Sequence, residues 1–83
     1  MELRYNRAME KAYYIEFDES VFAARIPFKI IANEGICSRE SSHLFTLRTE
    51  KSIDELNDLL TSAGFERREF NVYDEEEAVL LTR

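Results

Sequence analysis

The chain has 83 residues, carries a net charge of −6, and is 45% apolar. This length suits a single modest core, so residues 1–83 are predicted to form one domain. No apolar run approaches the roughly 20 residues of a membrane span, so a membrane partner is not expected. The one cysteine, Cys37, rules out an internal disulfide bond and favours a cytoplasmic location.

The negative charge is concentrated in the C-terminal part of the chain. Residues 1–48 contain seven basic and seven acidic residues, whereas residues 49–83 contain four basic and ten acidic ones. Phosphate binding requires local positive charge, so nucleic acid is not an expected partner. The imbalance favours a protein partner with a basic surface.

The first two apolar segments alternate with the period of a β-strand. Residues 12–17 alternate from Tyr13 to Phe17, and residues 21–31 continue with the same period of two. Pro27 would damage a helix interior, whereas an edge strand tolerates it. We therefore predict two strands. The alternative, a helix within the second segment, would make the domain ferredoxin-like.

A break in the pattern precedes the next strand. Gly35 is predicted to adopt a positive φ angle. Residues 36–38 are short enough for only brief pairing, residues 39–42 are predicted to form a loop, and residues 43–49 return to strand composition.

One amphipathic helix is predicted to begin after Ser52. Ser52 and Glu55 have the spacing of a capping box, and Gly64 is placed to end the helix with Phe65 packing back on it. The apolar stripe between these ends consists of Ile53, Leu56, Leu59, Leu60 and Ala63.

Two further strands are predicted at residues 70–73 and 78–82, joined by an acidic turn at residues 74–77. The sequence therefore predicts an α+β fold. It consists of a small antiparallel sheet of about five strands with one amphipathic helix, in the order β-β-β-α-β-β.

Few residues are suited to catalysis or to binding a cofactor. Cys37 and His43 are the only soft metal ligands, whereas a structural zinc site needs four ligands. The chain has only two glycines, Gly35 and Gly64, so it has no glycine-rich phosphate loop. We therefore predict no catalytic residue, no metal site and no cofactor bound by this chain alone.

The acidic residues are the candidates for binding a partner. Asp54 and Asp58 are four residues apart and share one face of the predicted helix. The acidic turn lacks the spaced ligands of a calcium loop. The predicted partner-binding residues are Asp54, Asp58, Asp74, Glu75, Glu76 and Glu77.

Two segments carry a resemblance to a known enzyme family. Residues 53–83, with their helix, Ala-Gly-Phe stop and terminal hairpin, resemble the end of class I S-adenosylmethionine-dependent methyltransferases. Residues 34–45 are similar to the signature Gly-Glu-x-x-x-Thr-Glu-x-Ser-x-Lys-Phe of histidine-specific methyltransferases of ergothioneine synthesis. Arg39 and Leu44 depart from it, at its Thr and Lys positions.

The resemblance implies a substrate-domain tail without the cofactor-binding half of such an enzyme. It also implies that Glu40 and Ser42 contact an imidazole substrate, because they fall on the Glu and Ser of the signature.

Two functions follow as expectations. The first is a methyltransferase-tail-like domain, not catalytic alone, that is part of or accessory to a histidine-type methyltransferase and partners its core. The alternative is a stand-alone acidic binding or inhibitor module that covers a basic surface on a partner protein.

Overall fold

The computed structural model describes residues 10–75, which form a four-stranded antiparallel sheet with two helices. The strands are β1 (Lys11–Phe17), β2 (Ile36–Arg39), β3 (Leu44–Thr49) and β4 (Phe70–Asp74), and the helices are α1 (Phe28–Ala32) and α2 (Ile53–Ser62). The α+β class predicted from the sequence is confirmed. The predicted strand at residues 78–82 lies outside the described residues.

The strands lie in the order β2-β3-β1-β4, so the central strand β1 pairs with β3 on one side and β4 on the other. With its helices, the described part of the chain has the order β-α-β-β-α-β. This is the split β-α-β topology known as ferredoxin-like.

The predicted strand at residues 21–31 is wrong. The segment instead forms a 3₁₀ turn (Ala23–Arg25) and then the short helix α1, which begins directly after Pro27. A proline can begin a helix because its missing N–H group has no partner in the first turn. Antiparallel pairing of both β1 and β2 with β3 also makes β1 and β2 parallel, and such strands need a crossover connection.

The core lies between one face of the sheet and the two helices. β1 contributes Tyr13, Ile15 and Phe17 to it, as the alternation predicted, and Phe17 packs edge-on against Phe45 with ring centroids 6.2 Å apart. The helices and the long connections complete this core through Val21, Ile26, Ile31, Leu56, Leu60 and Phe65.

α2 has the ends that the sequence predicts. The side chain of Ser52 accepts a hydrogen bond from the Glu55 amide, and Glu55 accepts one from the Ser52 amide. At the other end the Phe65 amide donates to the Leu60 carbonyl oxygen at 3.2 Å, and Gly64 has a φ of 102°. These are the hydrogen bond and the left-handed residue of a Schellman stop.

Gly35 does not have a positive φ, because Gly64 is the only described residue that does. Glycine is required there because the backbone at Gly35 passes close to the backbone of β3. An added Cβ atom would overlap the carbonyl oxygen of Arg48 and lie 3.3 Å from Thr49 Cα. The chain is held close at this point because the Thr49 hydroxyl donates a 2.7 Å hydrogen bond to the Glu34 carbonyl oxygen.

Candidate functional site

The described residues among those that the sequence singled out occupy three separate places in the fold. Glu40 and Ser42 lie in the turn between β2 and β3. Asp54 and Asp58 are exposed on α2, and Asp74 is half-buried at the end of β4. Glu75 is exposed and lines a cavity on the face of the sheet opposite the helices, so it does not join the other predicted partner-binding residues. Glu76 and Glu77 lie outside the described residues.

Two clefts open beside α2, one at its start and one along its length, and Lys51 lines both of them. The first cleft has the carboxylates of Glu50 and Asp74 on its walls. The second cleft has those of Glu34, Glu55 and Asp58. The carboxylates around this end of α2 are called the acidic surface: Glu34, Glu50, Asp54, Glu55, Asp58 and Asp74.

The positive charge within the acidic surface is small. Among residues 10–75, Lys11 and Lys51 are the only cations that line the two clefts, against five carboxylates. The Lys51 ammonium lies 3.3 Å from the carboxylate of Glu34, so one of the two lysines is already in an ion pair. The described side chains of the acidic surface therefore carry a net negative charge.

The local structure also keeps Glu55 charged. The backbone and side-chain hydrogen bonds with Ser52, and then the nearby Lys51, hold the pKa of the Glu55 carboxyl below its ordinary value. The first helical turn favours a negative charge at this position as well. A partner that approaches this surface near neutral pH therefore meets an ionised carboxylate.

Tyr13 shows that the acidic surface reaches into the sheet. Burial raises the pKa of the Tyr13 phenol above its ordinary value, and the charges of Asp74 and Glu55 raise it further. The carboxylates of β4 and of α2 thus act on the same hydroxyl group. Asp74 also lines the first cleft together with Ser52 and Ile53, the two residues that precede Asp54 in the chain. The end of β4 and the start of α2 are therefore close together.

Glu40 and Ser42 are both exposed, and the structure gives each a local partner. The hydroxyl of Thr46 donates a long hydrogen bond of 3.4 Å to the Glu40 carboxylate. The hydroxyl of Ser42 lies 2.8 Å from Nδ1 of His43, whose Nε2 lies 2.7 Å from the carbonyl oxygen of Val21. A carbonyl oxygen only accepts hydrogen bonds, so Nε2 of His43 carries a proton and donates a hydrogen bond to Val21. This hydrogen bond links the turn between β2 and β3 to the loop after β1.

The methyltransferase resemblance predicts that this turn binds an imidazole. On this prediction, we expect titration of the protein with histidine and N-methylated histidine to give saturable amide shifts at Glu40 and Ser42, because both side chains would contact the ring. A Glu40→Gln variant weakens this binding, whereas Glu19→Gln, an exposed carboxylate in another loop, serves as the matched control. If the amide shifts stay unchanged at millimolar histidine, the turn does not bind an imidazole and only connects β2 to β3.

Apart from Glu75, the sequence singled out no residue of the face of the sheet opposite the helices. None of the described side chains on this face is fully buried, and Tyr14 packs on Tyr73 with ring centroids 5.7 Å apart. A cavity of about 270 Å³ on this face is lined by Ala12, Tyr14, Ile36, Thr46, Arg48 and Glu75, among others. The alternation of β1 predicted that Tyr14 would face this way, but the partner strands were needed to form a cavity.

Within residues 10–75, no group of three or more histidine, cysteine, aspartate or glutamate side chains is placed to hold a metal ion. Cys37 is half-buried in β2, and burial raises the pKa of its thiol. In the same part of the chain no helix has the length and apolar character needed to cross a bilayer.

Comparisons of the chain with protein-family models, curated proteins and solved structures found no match. The functional assignment therefore depends on the residues of the chain itself.

Proposed function

We propose that the chain is a protein-binding module whose acidic surface covers a basic surface on a partner protein. The observation that carries this proposal is the set of five carboxylates that line two adjoining clefts against two lysines. The excess of ten acidic over four basic residues in residues 49–83 supports it from the sequence.

The clefts favour long basic side chains as ligands. A lysine or arginine of the partner can place its charged end between Glu55 and Asp58 while its methylene groups lie along Leu59, which lines the same cleft. Arginine suits the site better, because its planar guanidinium forms paired hydrogen bonds to a carboxylate. Complementary charge raises the association rate more than it lowers the dissociation rate.

A methyltransferase core is one candidate for the partner. That candidate depends only on the resemblance of residues 34–45 and 53–83 to the tail of histidine-specific methyltransferases. The inhibitor or adaptor role is the wider form of the proposal, and it requires only that the partner present a basic surface.

The proposal is tested by reversing charge on the outer side of α2. In the Asp54→Lys, Asp58→Lys protein, we expect retention of partners from source lysate to fall, and the association rate at low salt to fall roughly tenfold. Folding should change only modestly, because exposed surface charges contribute little to stability, and the main loss is the favourable negative charge of Asp54 in the first turn of α2. Pull-down at two salt concentrations, followed by stopped-flow kinetics with the retained protein, measures both effects.

The matched control is Glu16→Lys, Glu19→Lys, which makes the same total change in charge on exposed residues at the other end of β1 from Lys11 and in the loop after it. The control should bind partners like the parent protein. Equal association rates for the α2 variant and the parent at low salt contradict the proposal. An equal loss in the control would show that only net charge matters.

A further inference from the structure

Two rows of residues that cross three strands form the cavity on the face of the sheet opposite the helices, which is called the outer face. Ala12 of β1 lies opposite Arg48 of β3, and Arg48 lies opposite Ile36 of β2. Alternate residues of a strand share a face. The adjoining row on this face consists of Ser38, Thr46 and Tyr14. All six residues line the cavity, so the strand pairing joins them into one continuous surface.

The side chains of this surface combine a small base with apolar walls. Ala12 carries only a methyl group and is half-buried on the central strand, which leaves space above it. Tyr14 is supported by Tyr73, which lies opposite it in β4 with the ring centroids 5.7 Å apart. Ile36 is 69% exposed at the edge strand. A ligand in the cavity therefore contacts both an aromatic ring and an aliphatic side chain.

Two opposite charges line the cavity, and no neighbour neutralises either of them. The side chains of Arg48 and Glu75 are both exposed. Within residues 10–75, neither side chain takes part in an ion pair, a cation–π contact or a hydrogen bond. The cavity therefore presents a guanidinium and a carboxylate that are both available to a ligand.

The volume and the charges of the cavity restrict the class of ligand. At about 270 Å³ the cavity lies below the roughly 300–1,000 Å³ of pockets that hold drug-sized ligands. A purely anionic ligand would meet the like charge of Glu75, and a purely cationic one would meet that of Arg48. An uncharged ligand would take water from both groups without pairing with either, which is unfavourable. Charge complementarity thus selects a small ligand that carries both signs.

We infer that this cavity binds a small zwitterion with an apolar body, the class to which free amino acids with aliphatic or aromatic side chains belong. Arg48 pairs with the carboxylate of the ligand, for which its planar guanidinium has the matching geometry. Glu75 accepts hydrogen bonds from the ammonium group. Both charges of an amino acid lie at one end of the molecule, so its side chain remains free to pack on Tyr14 and Ile36.

A single-stranded nucleic acid suits the outer face less well, although its bases stack on aromatic rings. Its phosphates require several cations. Among the described strand residues that lie on this face, Arg48 is the only cation. Glu16 lies on the same face two residues beyond Tyr14, and together with Glu75 it repels phosphate.

The test titrates the full chain with L-phenylalanine, with binding measured by calorimetry and mapped by amide chemical shifts. We expect saturable shifts centred on Ala12, Tyr14 and Arg48. Three related compounds separate the contributions: 3-phenylpropionate lacks the ammonium group, 2-phenylethylamine lacks the carboxylate, and glycine lacks the apolar side chain. Each should bind roughly tenfold more weakly than L-phenylalanine, because each loses one of the contacts that the cavity offers.

Substitutions assign each charge of the ligand to its partner. In Arg48→Gln we expect the affinity for L-phenylalanine to fall roughly tenfold, while that for 2-phenylethylamine does not fall, because this compound has no carboxylate. In Glu75→Gln we expect the converse, with the affinity for 3-phenylpropionate not reduced. Both side chains are exposed, so the melting temperature should not change. Ala12→Leu fills the cavity and should abolish binding of all these compounds.

The matched control is Lys29→Gln, which removes one exposed positive charge on α1, on the other side of the sheet. Its affinity for L-phenylalanine should stay within about twofold of the parent protein. An equal loss in Lys29→Gln and Arg48→Gln overturns the inference, as does equal binding of L-phenylalanine and 3-phenylpropionate.

Two further results also overturn the inference. The first is the absence of amide shifts at millimolar L-phenylalanine. The second is binding of oligothymidylate to the outer face in the absence of amino-acid binding, which would assign the face to single-stranded nucleic acid. None of these substitutions changes a residue of the acidic surface, so the function proposed for that surface is tested separately.

Discussion

Replacement of Leu60 by alanine is expected to destabilise the protein by about 2–5 kcal/mol. Leu60 is fully buried between α2 and the sheet, and its carbonyl oxygen also accepts the hydrogen bond that ends the helix. The backbone hydrogen bond from Phe65 to Leu60 remains after the substitution. The loss of stability therefore comes from the cavity and from the apolar burial that is lost. In a domain of this size that loss lowers the melting temperature by at least about 8 °C.

The matched control for this prediction is Leu59→Ala in the same helix. Leu59 is only half-buried, and the change in helix propensity is the same because both positions lie in the last turns of α2. Urea denaturation of both variants separates burial from propensity. If Leu60→Ala lowers stability no more than Leu59→Ala, α2 does not pack on the core as described.

Replacement of Gly35 by alanine is expected to cost about 1–3 kcal/mol or more, because the new methyl group would overlap backbone atoms. The overlapping atom is the carbonyl oxygen of Arg48 in β3, and a backbone atom in a paired strand cannot move aside as a side-chain end can. Relief would require the loop before β2 to move away, which breaks the hydrogen bond from Thr49 to Glu34. Hydrogen exchange at residues 49–51 should therefore speed up.

Gly64→Ala provides the comparison, because the two glycines are required for different reasons. An added Cβ atom at Gly64 meets no atom within 4 Å, so the cost there is only that of the positive φ, about 1–2 kcal/mol. Hydrogen exchange near Thr49 should stay as in the parent. A Gly35→Ala protein as stable as the parent would contradict the close approach seen here.

Local signals predicted α2 and the strands β1, β3 and β4 well, because each signal depends on neighbours in sequence. The capping box of Ser52 and Glu55 and the stop at Gly64 are complete within fourteen residues. The segment at residues 21–31 was misread because its alternation of apolar residues is accidental. The structure buries Val21, Ile26 and Ile31 at a spacing of five, which fits a turn followed by a short helix.

The site was predictable in charge but not in shape. Counting residues located the negative charge near α2 and β4, and Asp74 does line a cleft beside the start of α2. The contribution of Glu34 could not be predicted, because it reaches the second cleft from the loop before β2 through its ion pair with Lys51. The cavity over Ala12 could not be predicted either, because its two rows of residues depend on which strands pair.

The central position of β1 has a consequence for how the protein folds. Within residues 10–75, β1 is the first strand to be synthesised, yet its partners lie far along the chain, with Glu16 opposite Leu44 and Phe17 opposite Phe70. Only the β2–β3 hairpin closes over a short loop, so it can form early, while pairing of β1 must wait for distant segments. During synthesis the apolar strand with Ile15 at its centre therefore stays unpaired until β3 has left the ribosome, and its second edge stays open until β4 follows, which leaves it exposed to misassembly in the meantime.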